Sequence, residues 1–191
     1  MNTLITQAIA AVEPRRTFLS QAGLLLSGTA VALLSGREAL AAKADKAVES
    51  DLRILNTALG AELEAVAAYQ VGAESGLMEK AMLDLAVTFQ GHHKQHAELL
   101  AATIGKLGGR AVDAREKYSF PVDTLKNQTD VLRFAAALEK GAVSAYLGAI
   151  PLFGNRDLAK AAGSILGDEA MHWAILRNAV GDVPVPDAFV A

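Results

Sequence analysis

The sequence predicts an all-α fold: four helices arranged as two antiparallel hairpins joined by one long crossover. Three observations carry that prediction. The chain repeats itself: Glu62–Tyr69 recurs 77 residues later as Glu139–Tyr146, with five of eight positions identical. Composition is 52% hydrophobic but only 5% aromatic, and rich in alanine, which favours closely packed helices over a β-sandwich. The segment breakers leave short links inside each half of the chain and one link of about twenty residues, 109–128, between the halves.

The first 44 residues read as an address. Arg15-Arg16-Thr17-Phe18-Leu19 precedes an apolar run from Ala22 to Ser35, and then come Ala39-Leu40-Ala41-Ala42-Lys43-Ala44. Charged, apolar and small-residue parts in that order make a secretory signal. The arginine pair followed by x-Phe-Leu resembles a twin-arginine signal. Cleavage after Ala41, Ala42 or Ala44 fits equally well. The alternative, an ordinary membrane helix, is disfavoured because the run is short and interrupted by Gly23, Ser27, Gly28 and Thr29. The expected destination is the periplasm or cell envelope, reached through the twin-arginine export machinery, with a membrane involved only through an uncleaved signal.

Residues 45–191 are expected to form the bundle. They carry 14 basic against 19 acidic residues and no basic patch, so nucleic acid is not an expected partner. There is no cysteine, which excludes disulfides, thiolate metal sites and cysteine nucleophiles. The first helix is expected from about Glu49 to Val71, closed by Gly72. The second runs from about Leu77 to Leu107, with Ser75 available as a cap and Gly108-Gly109 as the stop. The third starts after Thr129 or Asp130 and runs to Ile150, ended by Pro151. The fourth runs from about Arg156 to Val180, closed by Gly181, and the tail 182–191 is extended. A crossover as long as 109–128 lets helices two and three run parallel, because the chain must traverse the bundle between them.

The chemistry lies in the repeats. Glu62 shares a helix face with Ala58, Ala65, Val66 and Tyr69; Glu139 shares one with Ala135, Ala142, Val143 and Tyr146. Both acids are therefore on apolar faces, whereas Glu64 has no counterpart in the second copy and reads as solvated. A buried carboxylate costs several kcal/mol unless a cation pairs with it, and a divalent metal is the economical partner. All four histidines fall in a second repeated segment, Gly91–His96 against Gly167–His172. Glu169 and His172, spaced i, i+3, can reach one ion, and His93 and His96 occupy the equivalent positions on helix two. His92, one turn below His96, reads as a surface residue that could also turn inward, and Asp168 reads as a surface or supporting group. The tyrosines Tyr69 and Tyr146 are either core residues needing a hydroxyl partner or groups supporting the site.

These residues resemble the ferritin-like, di-iron carboxylate proteins, of the exported bacterial type, over about residues 50–181. That resemblance implies a Glu on helices one and three and Glu-x-x-His on helices two and four. Glu62, His96, Glu139, Glu169 and His172 agree with it. His93 departs from it, standing where the family has Glu. Three carboxylates then face two divalent ions, and the nitrogen-richer set favours Zn, Cu, Ni or Fe over Mn or Mg. An asymmetric di-metal site, a mononuclear site and a degenerate site all remain open.

The resemblance implies iron, two ions or one, with Mn or Zn as alternatives. It implies oxidase, ferroxidase or peroxidase-like chemistry in stress defence, with Tyr69 and Tyr146 beside the site. Against that stand non-catalytic metal binding and a metal-free helical stress or interaction module, so whether the chain is an enzyme stays open. The expected partners are metal ions and the export machinery, with a homodimer as one form of assembly.

Overall fold

The computed structural model describes residues 38–190, with side chains from residue 45 onward. The segment read as a signal therefore lies outside the described residues, apart from the helical backbone of residues 38–44. Four α-helices make up the described part: α1 (Glu38–Glu74), α2 (Lys80–Lys106), α3 (Gln128–Ala149) and α4 (Arg156–Ala179). There is no strand among the described residues. None of the described helices is long and apolar enough to cross a membrane.

The helices pack because their apolar positions alternate steps of three and four. On α4 the buried positions are Leu158, Ala162, Ile165, Glu169, His172 and Leu176. On α3 they include Leu132, Ala135, Glu139, Val143 and Tyr146. On α2 Ala86, Gln90, His93, Ala97, Leu100 and Ile104 continue the pattern. This is the spacing of a left-handed bundle seam. The candidate ligands occupy seam positions that a simple bundle would give to leucine.

The core is consequently split. One apolar cluster gathers Leu55, Leu59, Leu100, Ile104, Leu158 and Ile165; another gathers Tyr69, Phe89, Leu132, Ala135 and Leu176. The buried Glu62, His93, Glu139, Glu169 and His172, from all four helices, fall in the seam between these two sets.

The crossover runs as the sequence predicts, and side chains fix its course. Near its start, Asn56 of α1 accepts from Val112 N at 2.8 Å and donates to the Arg110 carbonyl at 3.2 Å. Further on, Phe120 meets Phe134 of α3 edge-on. At its far end, Gln128 accepts from Glu79 N, just before α2, at 2.8 Å. The beginnings of α2 and α3 thus lie together, as parallel helices require. At the opposite end, buried Asp51 of α1 accepts from Gly154 N and Asn155 N at 2.8 and 3.0 Å, tying the start of α4 to α1.

Helix ends differ from expectation in instructive ways. Gly72 does not close α1, which continues to Glu74. Its missing side chain instead admits Val131, whose Cγ1 sits 3.3 Å from where a Cβ would lie. The turn comes at Gly76, with φ +69°. Ser75 does not cap α2; its hydroxyl donates to the Gly72 carbonyl at 2.6 Å, and α2 starts after Glu79. Asn127 caps α3 by accepting from Asp130 N, so that helix begins at Gln128 and not after Thr129 or Asp130.

Candidate metal centre

Each helix contributes to one polar layer at mid-bundle. Glu62, His93, Glu139, Glu169 and His172 are each no more than 3% exposed, and His96 is only slightly more open. The structure brings all six sequence-predicted ligands together. They form two overlapping groups: Glu62, His93, His96 and Glu169; and His93, Glu139, Glu169 and His172. His93 and Glu169 belong to both.

In the first group Glu62 Oε2 lies 2.8 Å from His93 Nδ1 and 3.5 Å from His96 Nδ1. His96 Nδ1 is 3.0 Å from Glu169 Oε1. In the second, Glu139 Oε1 is 3.2 Å from His93 Nε2 and 3.5 Å from His172 Nδ1. His172 Nδ1 is 3.6 Å from Glu169 Oε2. Four ligands at about 2.0–2.2 Å around one tetrahedral ion stand roughly 3.3–3.6 Å apart. The observed separations are close to that edge length.

Among the described residues, five buried side-chain atoms have no hydrogen-bond partner: His96 Nδ1, Glu139 Oε2, both oxygens of Glu169 and His172 Nδ1. All five belong to the predicted ligand set. Buried polar atoms are almost always paired, and each unpaired one costs about 1–3 kcal/mol. A cation contacting these atoms would satisfy every one of them. The donor set therefore fits a divalent metal, and its mixture of carboxylate and imidazole suits iron or zinc.

Electrostatics couple the imidazoles of the layer to its carboxylates. Burial disfavours the His93 imidazolium, but hydrogen bonds to Glu139 and Glu62 outweigh it and push the pKa up to about 10. His96 rises to about 9 against its own burial, through Glu169 and Glu62. His172 does likewise through Glu139 and Glu169. Burial also works against the charge on Glu62 and Glu139, yet their histidine partners hold both carboxyls below the usual range. Glu169 goes the other way: burial and neighbouring Glu139 lift it despite His172 and His96. The carboxylates favour the protonated imidazoles, and the imidazoles favour ionised Glu62 and Glu139.

Tyr69 donates its hydroxyl to Glu139 Oε1, and Tyr146 donates to Glu62 Oε1 at 2.6 Å. Burial and the adjacent carboxylates push both phenols well above their ordinary pKa, so they remain protonated donors. Both tyrosines are buried in the core clusters, and their hydroxyl partners are the two equivalent acids.

Asp168 and His92 both lie beside the ligand layer. Asp168 places Oδ2 3.4 Å from both His96 Nε2 and His172 Nε2, the nitrogens facing away from the ligand groups. A carboxylate behind a metal-facing imidazole fixes its tautomer and orientation. His92, read as a surface residue, is half-buried; its Nδ1 lies 3.0 Å from Asp168 and 2.9 Å from His172 Nε2. Phe89 stacks on the His172 ring with centroids 4.0 Å apart. Glu64, read as solvated, is half-buried beside an apolar cleft.

The ferritin-like domain model matches residues 50–182. The chain belongs to the ferritin-like family. Among solved structures, a conserved hypothetical protein from Mycobacterium tuberculosis is similar at 20% identity and TM-score 0.64, covering 74% of this chain and 97% of that one. A ferritin-like, diiron-carboxylate protein from Bacillus anthracis is similar at 18% identity and TM-score 0.61, covering 70% and 97%. A dodecameric thioferritin, the bacterioferritin-related protein from Bacteroides fragilis, is similar at 28% identity and TM-score 0.57, covering 70% and 86%. No curated protein matches the chain.

Proposed function

We propose that this ferritin-like chain is an exported protein holding two unequal cation sites, with iron as the preferred metal, and that it serves in an oxidase-, ferroxidase- or peroxidase-like defence outside the cytoplasm. The observation that carries the metal reading is the set of five orphaned polar atoms, all on predicted ligands. The inequality follows from His93. A bridging carboxylate offers lone pairs to both sides, but a neutral imidazole has one lone pair and one N–H. His93 faces Glu62 with Nδ1 and Glu139 with Nε2, so only one group can use it as a ligand.

Bound iron would supply one-electron exchange with oxygen or peroxide. The protein's share is positional. Glu62 and Glu139 are held by tyrosine hydroxyls, and Glu169 has both oxygens free for either group. Glu62, His93, Glu139, Glu169 and His172 are each no more than 3% exposed, which limits the water that reaches the layer. Export rests on the Arg15-Arg16 segment alone; twin-arginine passage of a folded chain would let the metal be loaded before competing ions are met.

Elemental analysis of untagged protein from its native host, followed by oxygen uptake with Fe(II), tests the proposal. Bound metal with accelerated oxygen uptake supports it. Bound metal with no acceleration leaves a sequestering or structural role, which the loss of a bridging carboxylate at His93 favours. A metal-free protein with chelator-independent stability would leave a helical module without redox chemistry.

A further inference from the structure

Exposure rises step by step along one edge of the ligand layer, between α2 and α4. The His172 side chain is 2% exposed, His96 13%, Asp168 23% and His92 35%. Asp168 Oδ2 is the common neighbour of three imidazole nitrogens: His92 Nδ1 at 3.0 Å, and His96 Nε2 and His172 Nε2 at 3.4 Å. His92 Nδ1 also lies 2.9 Å from His172 Nε2. His92, Asp168 and His172 thus make a third group of ligand type, on the solvent side of the two groups in the layer.

We propose that His92, Asp168 and His172 Nε2 form a transient capture site through which a divalent cation enters the layer. Its role presupposes that the layer binds metal, the reading proposed above. One carboxylate and two imidazoles suit the same first-row metals as the layer itself. Because His92 and Asp168 are partly exposed, water that the ion has not yet shed has room to stay.

His172 makes the site transient. A neutral imidazole carries one lone pair and one N–H. While an ion is held outside at Nε2, no lone pair is left for Nδ1, which faces Glu139 and Glu169. Once Nδ1 takes an ion in the layer, Nε2 carries the N–H and donates toward Asp168. The outer and inner groups cannot use His172 together, so filling the layer empties the capture site. Final stoichiometry is set by the layer alone.

The other approach is the cleft between α1 and α3, whose lining includes Glu62, His93 and Glu139. Most of its remaining lining is alanine and glycine, such as Ala58, Ala65 and Ala145. Apolar walls offer an ion nothing in exchange for its hydration shell. Glu64, also in that lining, joins no group of three possible ligands among the described residues.

Stopped-flow mixing of the metal-free full chain with Co(II), followed by the visible bands of the bound ion, tests the capture site, together with release from the loaded chain to excess EDTA. In wild type the loading rate should level off as Co(II) is raised, because capture precedes transfer. Below that plateau, His92→Ala should load about ten-fold more slowly, on the scale that groups around a bound metal contribute. Release should slow by the same factor, since ions leave by the path they entered, so final affinity and stoichiometry stay as in wild type. A merely structural His92 would give faster release and weaker binding instead. His92→Asp supplies a ligand that cannot donate to Asp168 and should recover most of the rate; His92→Asn keeps a donor but is a poor ligand and should stay slow. Ala145→Phe narrows the cleft from an exposed position and should load at the wild-type rate. Equal loading by wild type and His92→Ala overturns the proposal, as does slowing by Ala145→Phe alone. A wild-type chain that holds no Co(II) at equilibrium removes the metal reading, and the capture site with it.

Discussion

Tyr146 of α3 donates its hydroxyl to Glu62 of α1 at 2.6 Å. The partner bond runs the other way across the same interface, from Tyr69 of α1 to Glu139 of α3. Within each repeat the tyrosine lies seven residues after the glutamate, two helical turns away. Each therefore reaches past its own glutamate to the one in the other repeat. Because α1 and α3 are antiparallel, two copies of one motif lock each other's carboxylates.

The exchange makes the tyrosines predictable targets. Tyr146→Phe should leave Glu62 Oε1 without its donor, and Tyr69→Phe should do the same to Glu139. Supporting partners of metal ligands typically affect affinity by about ten- to a hundred-fold. Each variant should lose metal affinity on that scale while the helical content is kept, as measured by competition with a chromophoric chelator. Equal losses follow from the pseudo-symmetry; no loss in either would mean that the two glutamates do not ligate.

His93 is where that symmetry fails. Metal titration of the wild-type chain should show one tight and one weaker event, because its single imidazole lone pair serves only one group. His93→Glu restores an acceptor to both sides and should bring the two events together. It also removes a cation from a layer of three buried carboxylates, so the metal-free variant should be less stable by several kcal/mol and strongly rescued by metal. A variant with unchanged stoichiometry and unchanged metal-free melting would remove His93 from the centre.

Much of this arrangement was legible in the sequence because it is local and repeated. A glutamate on an apolar helix face, or a ligand-x-x-His step, needs only helical periodicity to be read. The long link between Gly109 and Gln128 likewise gave the parallel pairing of α2 and α3. Relations that depend on two helices meeting were not legible. Nothing in the spacing says that Tyr146 reaches Glu62 and not Glu139, nor that His92 turns toward Asp168. Gly72 looked like a stop because glycine usually is one, but here the approach of Val131 decides its use. The cleft between α1 and α3 is similarly a property of two surfaces, visible in sequence only as alanine abundance.

Asp168 offers a test that separates support from ligation. Its Oδ2 faces the outward nitrogens of His96 and His172, both 3.4 Å away. Asp168→Asn keeps the size but removes the charge that favours N–H on those nitrogens. Metal affinity should fall by about ten-fold with stoichiometry unchanged. In the ring-nitrogen NMR of a zinc-loaded sample, His96 and His172 should show altered tautomer signatures. Lost stoichiometry would instead make Asp168 a ligand itself, in the group that it forms with His92 and His172.

The last prediction concerns protons. The metal-free chain holds His93, His96 and His172 at pKa values raised to about 10, 9 and 9, against 6.5 for an ordinary histidine. A pKa raised in the folded state means that the folded state binds the proton more tightly than the unfolded one. The stability that this confers is fully present below pH 6.5 and drains away as pH rises through the folded values. Glu62 and Glu139, held low, contribute with the opposite sign: their share is present above the usual carboxylate range and is lost on acidification. The metal-free protein should therefore melt at progressively lower temperature from about pH 7 to pH 10. The loaded protein should not, because there the cation replaces the protons. Loading at neutral pH must then expel them, and about two to three protons per chain should appear in the buffer as the layer fills. Calorimetry in buffers of different ionisation enthalpy measures that number directly. A value near zero would mean that the histidines are already neutral, and that the buried carboxylates are balanced some other way.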